Sequence, residues 1–132
     1  MKPAHDESCD ILNKKIAEYT KAVVDGRPCF HISLVMDVSP NCDCHAENDL
    51  PIVPDVGMFA SFDPVALDQA CADACNRQEA MVGSMLDDKI KSCGCGRDHF
   101  HTIGPNTNWA VQLEHAEKIG VGQRAYELIE VK

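Results

Sequence analysis

Four of the eight cysteines in this 132-residue chain lie in two Cys-x-Cys pairs, and this feature constrains the molecule more than any other. Cys42 and Cys44 lie in the run NCDCH, and Cys93 and Cys95 lie in the run SCGCGRDHFH. Turn-forming residues surround both pairs, so each pair predicts a loop. If the fold brings the two loops together, the four thiolates form one shell of sulfur ligands.

Clustered thiols of this kind suit soft metal centres. Zinc and iron favour thiolate sulfur, and iron–sulfur clusters are held by four cysteines. The cofactor predicted here is an iron–sulfur cluster or a single iron or zinc ion, held by Cys42, Cys44, Cys93 and Cys95. One or two sulfurs could be replaced by His45, His99 or His101, and Asp55 is a further predicted metal ligand.

Other roles for the cysteines stay open at this point. A redox dithiol needs one thiol with a lowered pKa, and unligated thiols behave as small apolar residues. Cys71 and Cys75 lie one helical turn apart between alanines, so we interpret them as packing residues. His31 lies within an apolar run and is interpreted as a hydrogen-bonded core residue.

The charge balance argues against two classes of partner. The chain has 12 basic and 21 acidic residues, a formal net charge of −9, and no run of basic residues. Nucleic acids and anionic membranes attract clustered positive charge, so neither is an expected partner. The first residues lack the apolar segment of a signal peptide, and no stretch is long enough to span a bilayer. We therefore expect a soluble cytoplasmic protein, where clustered cysteines bind metal or do redox chemistry rather than form lasting disulfides.

Hydrophobic periodicity predicts a mixture of helices and strands. Helices are predicted over 8–25, 61–78, 84–91 and 106–120. Strands are predicted over 29–38, 56–60 and 125–131, and a loop over 41–54. Asp63 is a good helix cap, and Pro64 suits the first helical position. We expect a single domain over residues 1–132 of the α/β (or α+β) class, in which a small sheet packs against about three helices.

Two of these segments carry predictions about burial. The run over 29–38 is almost continuously apolar, which is typical of a strand covered on both faces. In the first helix, one face is formed by Leu12, Ile16, Tyr19 and Val23. An apolar helical stripe of this kind usually faces the core.

An enzyme is the main alternative to a redox metal protein. Asp55 has no local explanation as a cap and could be a general base or a metal ligand. Together with Asp68 and His45 it could line the pocket of a metal-dependent enzyme, in which the cysteines leave one metal position open. A non-catalytic fragment with structural zinc, or with no metal, is the remaining alternative.

The runs NCDCHAENDLPIVPDVGMFASFDPVALDQACADA and NWAVQLEHAEKIGVGQRAYELI resemble the C-terminal part of the uncharacterised iron–sulfur centre protein family, a domain-of-unknown-function family found widely in anaerobic prokaryotes. The likeness runs from about Ile11 to Val131. Longer members carry an inserted ferredoxin-like module with Cys-x2-Cys-x2-Cys-x3-Cys-Pro motifs, and this chain has no Cys-x2-Cys. The matched positions with chemistry are Cys42, Asp43, Cys44, Asp55, Asp63 and Asp68.

The first hypothesis is a metal- or iron–sulfur-binding domain that serves electron transfer or a redox assembly, with a redox partner that the sequence does not identify. Because the resemblance covers only the end of the longer family members, the chain could be a fragment, a natural standalone version or one subunit of a split protein. A partner subunit would supply the rest of the domain, or an exposed sheet edge would pair two copies as a homo-oligomer.

Overall fold

The computed structural model describes residues 7–42, 44–94 and 96–131. These residues form five α-helices and a two-stranded sheet. In chain order the elements are α1 (Glu7–Val24), β1 (His31–Val35), β2 (Gly57–Ser61), α2 (Pro64–Asn76), α3 (Met85–Cys93), α4 (His99–Ile103) and α5 (Trp109–Lys118). The predicted fold class, a small sheet packed against helices, is confirmed, with five helices in place of about three.

The sheet is a two-stranded antiparallel ladder covered on one face only. His31 lies opposite Ser61 and Val35 lies opposite Gly57. One face packs on α2 and buries Val35. On the other face, Ile32 and Leu34 are 60% and 63% exposed. The prediction of a strand covered on both faces is therefore wrong, because helices pack on one face of this ladder in the described part of the chain.

The first of two hydrophobic clusters joins three helices. Its buried residues come from α1, α2 and α5 and are Ala17, Val65, Leu113 and Ala116. Ala17 is the buried contact of α1, whereas Leu12, Tyr19 and Val23 are 59%, 73% and 62% exposed. The expected apolar stripe of α1 therefore faces outward, and a small residue allows the close approach to α5 instead.

The second cluster lies between the segment before β2 and helices α3 and α4. Ile52, Val53 and Leu86 are its buried residues, and Val38 and Ile90 pack against it. The backbone N–H of Ile52 donates to the carbonyl of Val38 at 2.8 Å, which closes the base of the intervening loop. The first Cys-x-Cys pair lies in that loop.

Helix α2 begins where the sequence predicts. Oδ1 of Asp63 accepts hydrogen bonds from the N–H groups of Val65 and Ala66 at 2.9 and 3.1 Å, and Pro64 is the first helical residue. Its second oxygen accepts from the N–H of Gln123 at 2.8 Å. One carboxylate thus caps the helix and holds a chain segment 60 residues away.

Two short segments differ from the predictions. Residues 125–131, predicted as a strand, form no regular element. Tyr126 instead donates a hydrogen bond from its hydroxyl to Asp73 at 2.8 Å, which attaches the segment to helix α2. Helix α4 was not predicted; the carboxylate of Asp98 caps it by accepting from the N–H of His101 at 3.0 Å. None of the described helices combines the length and apolar character that a bilayer span requires.

Candidate functional site

The first cysteine pair lies in a loop organised by asparagine side chains. The amide of Asn48 donates to the carbonyl of Asn41, and its oxygen accepts from the N–H of Asn41, both at 3.4 Å. Within this loop the N–H of His45 donates to the carbonyl of Cys42 at 2.9 Å. The thiols of Cys42 and Cys44 are exposed. His45 is also exposed, with its Nδ1 3.5 Å from the carboxylate of Glu47. These donors are accessible from solvent at the tip of a closed loop.

The second cysteine pair follows the end of α3. Gly94 ends the helix with a φ of 65°, and its N–H donates to the carbonyl of Ile90 at 2.9 Å. Cys93 is disulfide-bonded, so its sulfur can ligate a metal only after reduction. Cys95 lies outside the described residues. The predicted pairing of its sulfur with the first loop therefore stays a prediction.

Both cysteine segments are anchored on the second hydrophobic cluster. Val38 precedes Cys42 by four residues and Ile90 precedes Cys93 by three, and both apolar side chains pack on that cluster. Among residues 7–42, 44–94 and 96–131, no three histidine, cysteine, aspartate or glutamate side chains converge as a metal site would require. A residue shortly before each cysteine pair thus packs on the same cluster, and the set of ligands that includes Cys95 stays a prediction.

His99 has the hydrogen bonding of a potential metal ligand. It is 3% exposed, and its Nε2 lies 2.8 Å from the carbonyl oxygen of Gln78. Because a carbonyl only accepts, Nε2 donates this hydrogen bond, and in the neutral ring Nδ1 then presents a lone pair. That Nδ1 is buried and has no hydrogen-bond partner among the described residues. In metal sites a ligating histidine usually donates its second ring N–H to a carbonyl or carboxylate in this way.

The other predicted oxygen and nitrogen ligands have local structural partners. Nδ1 of His101 lies 3.2 Å from the carbonyl oxygen of Thr107, and its ring is exposed. Asp55 accepts from the N–H of Asp37 at 2.9 Å. Asp37 has a φ of 49°, in the left-handed region that a non-glycine residue seldom adopts, and the carboxylate stabilises this turn. Metal ligation or base catalysis by Asp55 stays a prediction.

A cavity of about 300 Å³ lies beside β1, α2, α4 and α5. Strand β1 contributes Ser33, Leu34 and Val35. Helix α2 contributes Asp68, Cys71, Ala72 and Cys75. Helices α4 and α5 contribute Phe100, Trp109, Gln112 and Leu113, and Val38 completes the lining. Of the three residues suggested for an enzyme site, Asp68 lines this cavity and Asp55 and His45 do not.

The polar groups of the cavity are affected by their surroundings. Burial raises the pKa of the Cys71 thiol, and a hydrogen bond with Ser33 lowers it in part. Burial also raises the pKa of Cys75. The side chain of Asp68 is exposed at the mouth, yet the surrounding protein removes enough water to raise the pKa of its carboxyl. The charge of nearby His31 partly offsets this increase in the pKa. Because burial raises their pKa values, the thiols of Cys71 and Cys75 are neutral near pH 7.

The sequence interpretation of these cavity residues holds in part. Cys75 is 4% exposed and packs in the core as predicted, whereas Cys71 is half-buried at the cavity wall. Nε2 of His31 is buried with no hydrogen-bond partner in the described chain, so the predicted hydrogen-bonded role is wrong for that atom. The spacing of Asp68, Cys71 and Cys75 at i, i+3 and i+7 indicates one helical face, and this signal could have identified the cavity wall.

Comparison with known proteins identifies a family for this chain. A family model described as "Domain of unknown function (DUF362)" matches residues 1–73. The matched part includes α1, the sheet, the first cysteine loop and most of α2, with Asp68 and Cys71. No curated protein and no solved structure matched the chain.

Proposed function

Since this chain belongs to the family described as "Domain of unknown function (DUF362)", we propose the function that its cysteine and histidine chemistry supports best. The protein binds a soft metal centre, either a zinc or iron ion or an iron–sulfur cluster. The ligands come from the two Cys-x-Cys segments and from His99. A bound iron–sulfur cluster would exchange electrons, whereas a bound zinc ion would cross-link the two segments.

The single observation that carries the proposal is the state of His99. Burying a nitrogen lone pair without a partner is unfavourable, and native structures contain few such groups. A ligand for Nδ1 removes this penalty, and the bond from Nε2 to Gln78 already holds the ring in the required tautomer. His99 also follows Cys95 by four residues, so both groups belong to one short segment.

The sulfur donors fit such a centre chemically. Cys42 and Cys44 are exposed, and the loop that carries them is closed at its base by the bond between Ile52 and Val38. Exposed thiols on a fixed loop can lose a proton and ligate a metal without disturbing the core. Cys93 needs prior reduction of its disulfide, so the proposal predicts metal uptake only under reducing conditions. The role in electron transfer applies to the cluster form.

The test is metal analysis of protein purified anaerobically with a thiol reductant. We expect about one metal centre per chain, visible as brown colour for a cluster or as zinc in a colourless sample. The double variant Cys42→Ser with Cys44→Ser should lose the metal while keeping the circular dichroism spectrum. His99→Gln should also lose it, whereas the exposed control His101→Gln should retain it.

Two outcomes would overturn the proposal. One is reduced, anaerobic protein that contains no metal and takes up neither zinc nor iron in a titration. The other is a Cys42→Ser, Cys44→Ser double variant that keeps the full metal content, because the first loop would then contribute no ligand. Metal uptake that is equal with and without reductant would exclude Cys93 from the ligand set.

A further inference from the structure

The cavity between β1, α2, α4 and α5 has one acidic group and otherwise apolar or neutral lining. Asp68 lies at its mouth, and its wall includes Phe100, Trp109 and Leu113. Among residues 7–42, 44–94 and 96–131, no lysine or arginine lines it. Its volume of about 300 Å³ lies at the lower end of small-molecule sites. An anionic ligand would therefore meet the Asp68 carboxylate and no lysine or arginine side chain of the lining, whereas a cationic ligand would be attracted to that carboxylate.

We propose that this cavity binds a small organic ammonium ion, with its charge beside Asp68 and its apolar body against Phe100 and Trp109. Charge-assisted hydrogen bonds from an ammonium group to a carboxylate are about twice as strong as neutral ones. Aromatic rings add a favourable interaction with a nearby cation. The site is separate from the proposed metal centre, because it uses none of the cysteines of the two pairs.

The aromatic wall is held in position before a ligand arrives. The indole Nε1 of Trp109 donates to the carboxylate of Asp98 at 2.9 Å, which caps α4 at the same time. The Trp109 and Phe100 rings pack edge to face, with centroids 6.2 Å apart. These contacts connect α4 and α5. A wall fixed by hydrogen bonding and ring packing loses little conformational freedom on binding, which favours affinity.

The two thiols, Cys71 and Cys75, add to the apolar lining and carry no negative charge that could attract the ammonium ion in place of Asp68. Burial keeps Cys71 and Cys75 protonated, and a neutral thiol behaves as a small hydrophobic group. The remaining ionisable group near the carboxylate is His31 on the inner face of β1. The net charge of −9 over the whole chain adds a general attraction for cations. Asp68 thus supplies the specific negative group of the cavity.

The chain contains its own reporter for this proposal. Trp109 is the single tryptophan and lines the cavity, so its fluorescence responds to a bound molecule. The probes are phenethylammonium, its neutral isostere 2-phenylethanol, and the anion 3-phenylpropanoate, each titrated into the full chain. We expect phenethylammonium to bind about tenfold more tightly than the alcohol, and the anion to bind most weakly.

Variants assign the charge preference and the location. Asp68→Asn should bind the amine and the alcohol with equal affinity, while Asp88→Asn, an exposed acid on α3, should keep the tenfold difference. Ala72→Leu narrows the cavity and should weaken the binding of all three probes. Thermal unfolding by circular dichroism establishes that each variant is folded. Phenethylammonium should also slow the alkylation of Cys71 by iodoacetamide, measured by peptide mass spectrometry.

Three results would overturn the proposal. The first is equal affinity of the unchanged chain for the amine and the alcohol. The second is a tenfold preference that survives in Asp68→Asn, because the charge would then be recognised elsewhere. The third is the absence of both a fluorescence response and protection of Cys71 at millimolar phenethylammonium. A metal-free preparation can be used throughout, so failure of the proposed metal centre does not affect the result.

Discussion

Removal of the Asp63 carboxylate should destabilise the protein more than loss of an ordinary helix cap. The side chain accepts three backbone hydrogen bonds, at 2.9 and 3.1 Å from Val65 and Ala66 and at 2.8 Å from Gln123. Loss of a cap costs about 0.5–2 kcal/mol. A hydrogen bond to a charged group contributes about 1.5–3 kcal/mol. We expect Asp63→Ala to lower the free energy of unfolding by about 2–4 kcal/mol.

Gly122 offers an independent test of the same contact. A Cβ added at this position would lie 2.0 Å from Oδ1 of Asp63 and 2.6 Å from its Cγ. The carboxylate cannot move away without breaking the bonds that it accepts. Gly122→Ala should therefore destabilise the protein by an amount similar to Asp63→Ala. In the double variant the methyl group meets a shortened side chain, so the two losses should be strongly non-additive.

The assay is urea unfolding followed by circular dichroism, with Glu130→Ala as an exposed control that should change stability by less than about 0.5 kcal/mol. Asp63→Asn keeps one oxygen for the cap and should fall between the parent and Asp63→Ala. Additive losses in the double variant would refute the reasoning, because the clash and the three hydrogen bonds would then be unconnected.

Two further predictions concern the core and the cavity. Leu86 is fully buried in the second cluster, so Leu86→Ala should lower the free energy of unfolding by about 2–5 kcal/mol. A loss below about 1 kcal/mol, measured by urea unfolding, would contradict this packing. For Asp68, burial raises the pKa above its ordinary value of 3.8, so the folded protein binds more protons than the unfolded chain and loses stability as the pH rises through this range. Asp68→Asn should therefore be more stable than the parent at pH 7 and equal to it at about pH 2, as measured by urea unfolding at both pH values. If the difference in unfolding free energy between variant and parent is the same at both pH values, the carboxyl is not desolvated.

The parts of the structure that local sequence determines were predictable. Asp63 followed by Pro64 specifies a helix start by backbone geometry and capping alone, and α2 begins there. The periodicity of α1 and α5 likewise predicted their existence, because a helical repeat of apolar residues needs no distant partner to be visible. The β-forming composition of the runs at β1 and β2 is also a local property, so both strands could be predicted.

The burial of those elements depended on partners that a single segment does not reveal. In α1, Leu12 and Tyr19 have the expected spacing, yet Ala17 takes the buried position in the cluster that includes residues of α5. Residues 125–131 have strand-forming composition, but Asp63 and Asp73 hold Gln123 and Tyr126 along α2. A strand forms only where another strand is within hydrogen-bonding reach.

The candidate sites also combine features that local sequence determines with features that only the fold determines. The sequence by itself determined which groups can ligate a soft metal, since thiol and imidazole chemistry belongs to Cys42, Cys44 and His99 wherever they lie. Only the tertiary structure decided that His99 is buried with an Nδ1 that has no partner in the described part of the chain, and that Asp68 and Trp109 line one cavity. These facts depend on the packing of helices that are far apart in the chain, because burial and proximity are properties of the whole fold rather than of a segment.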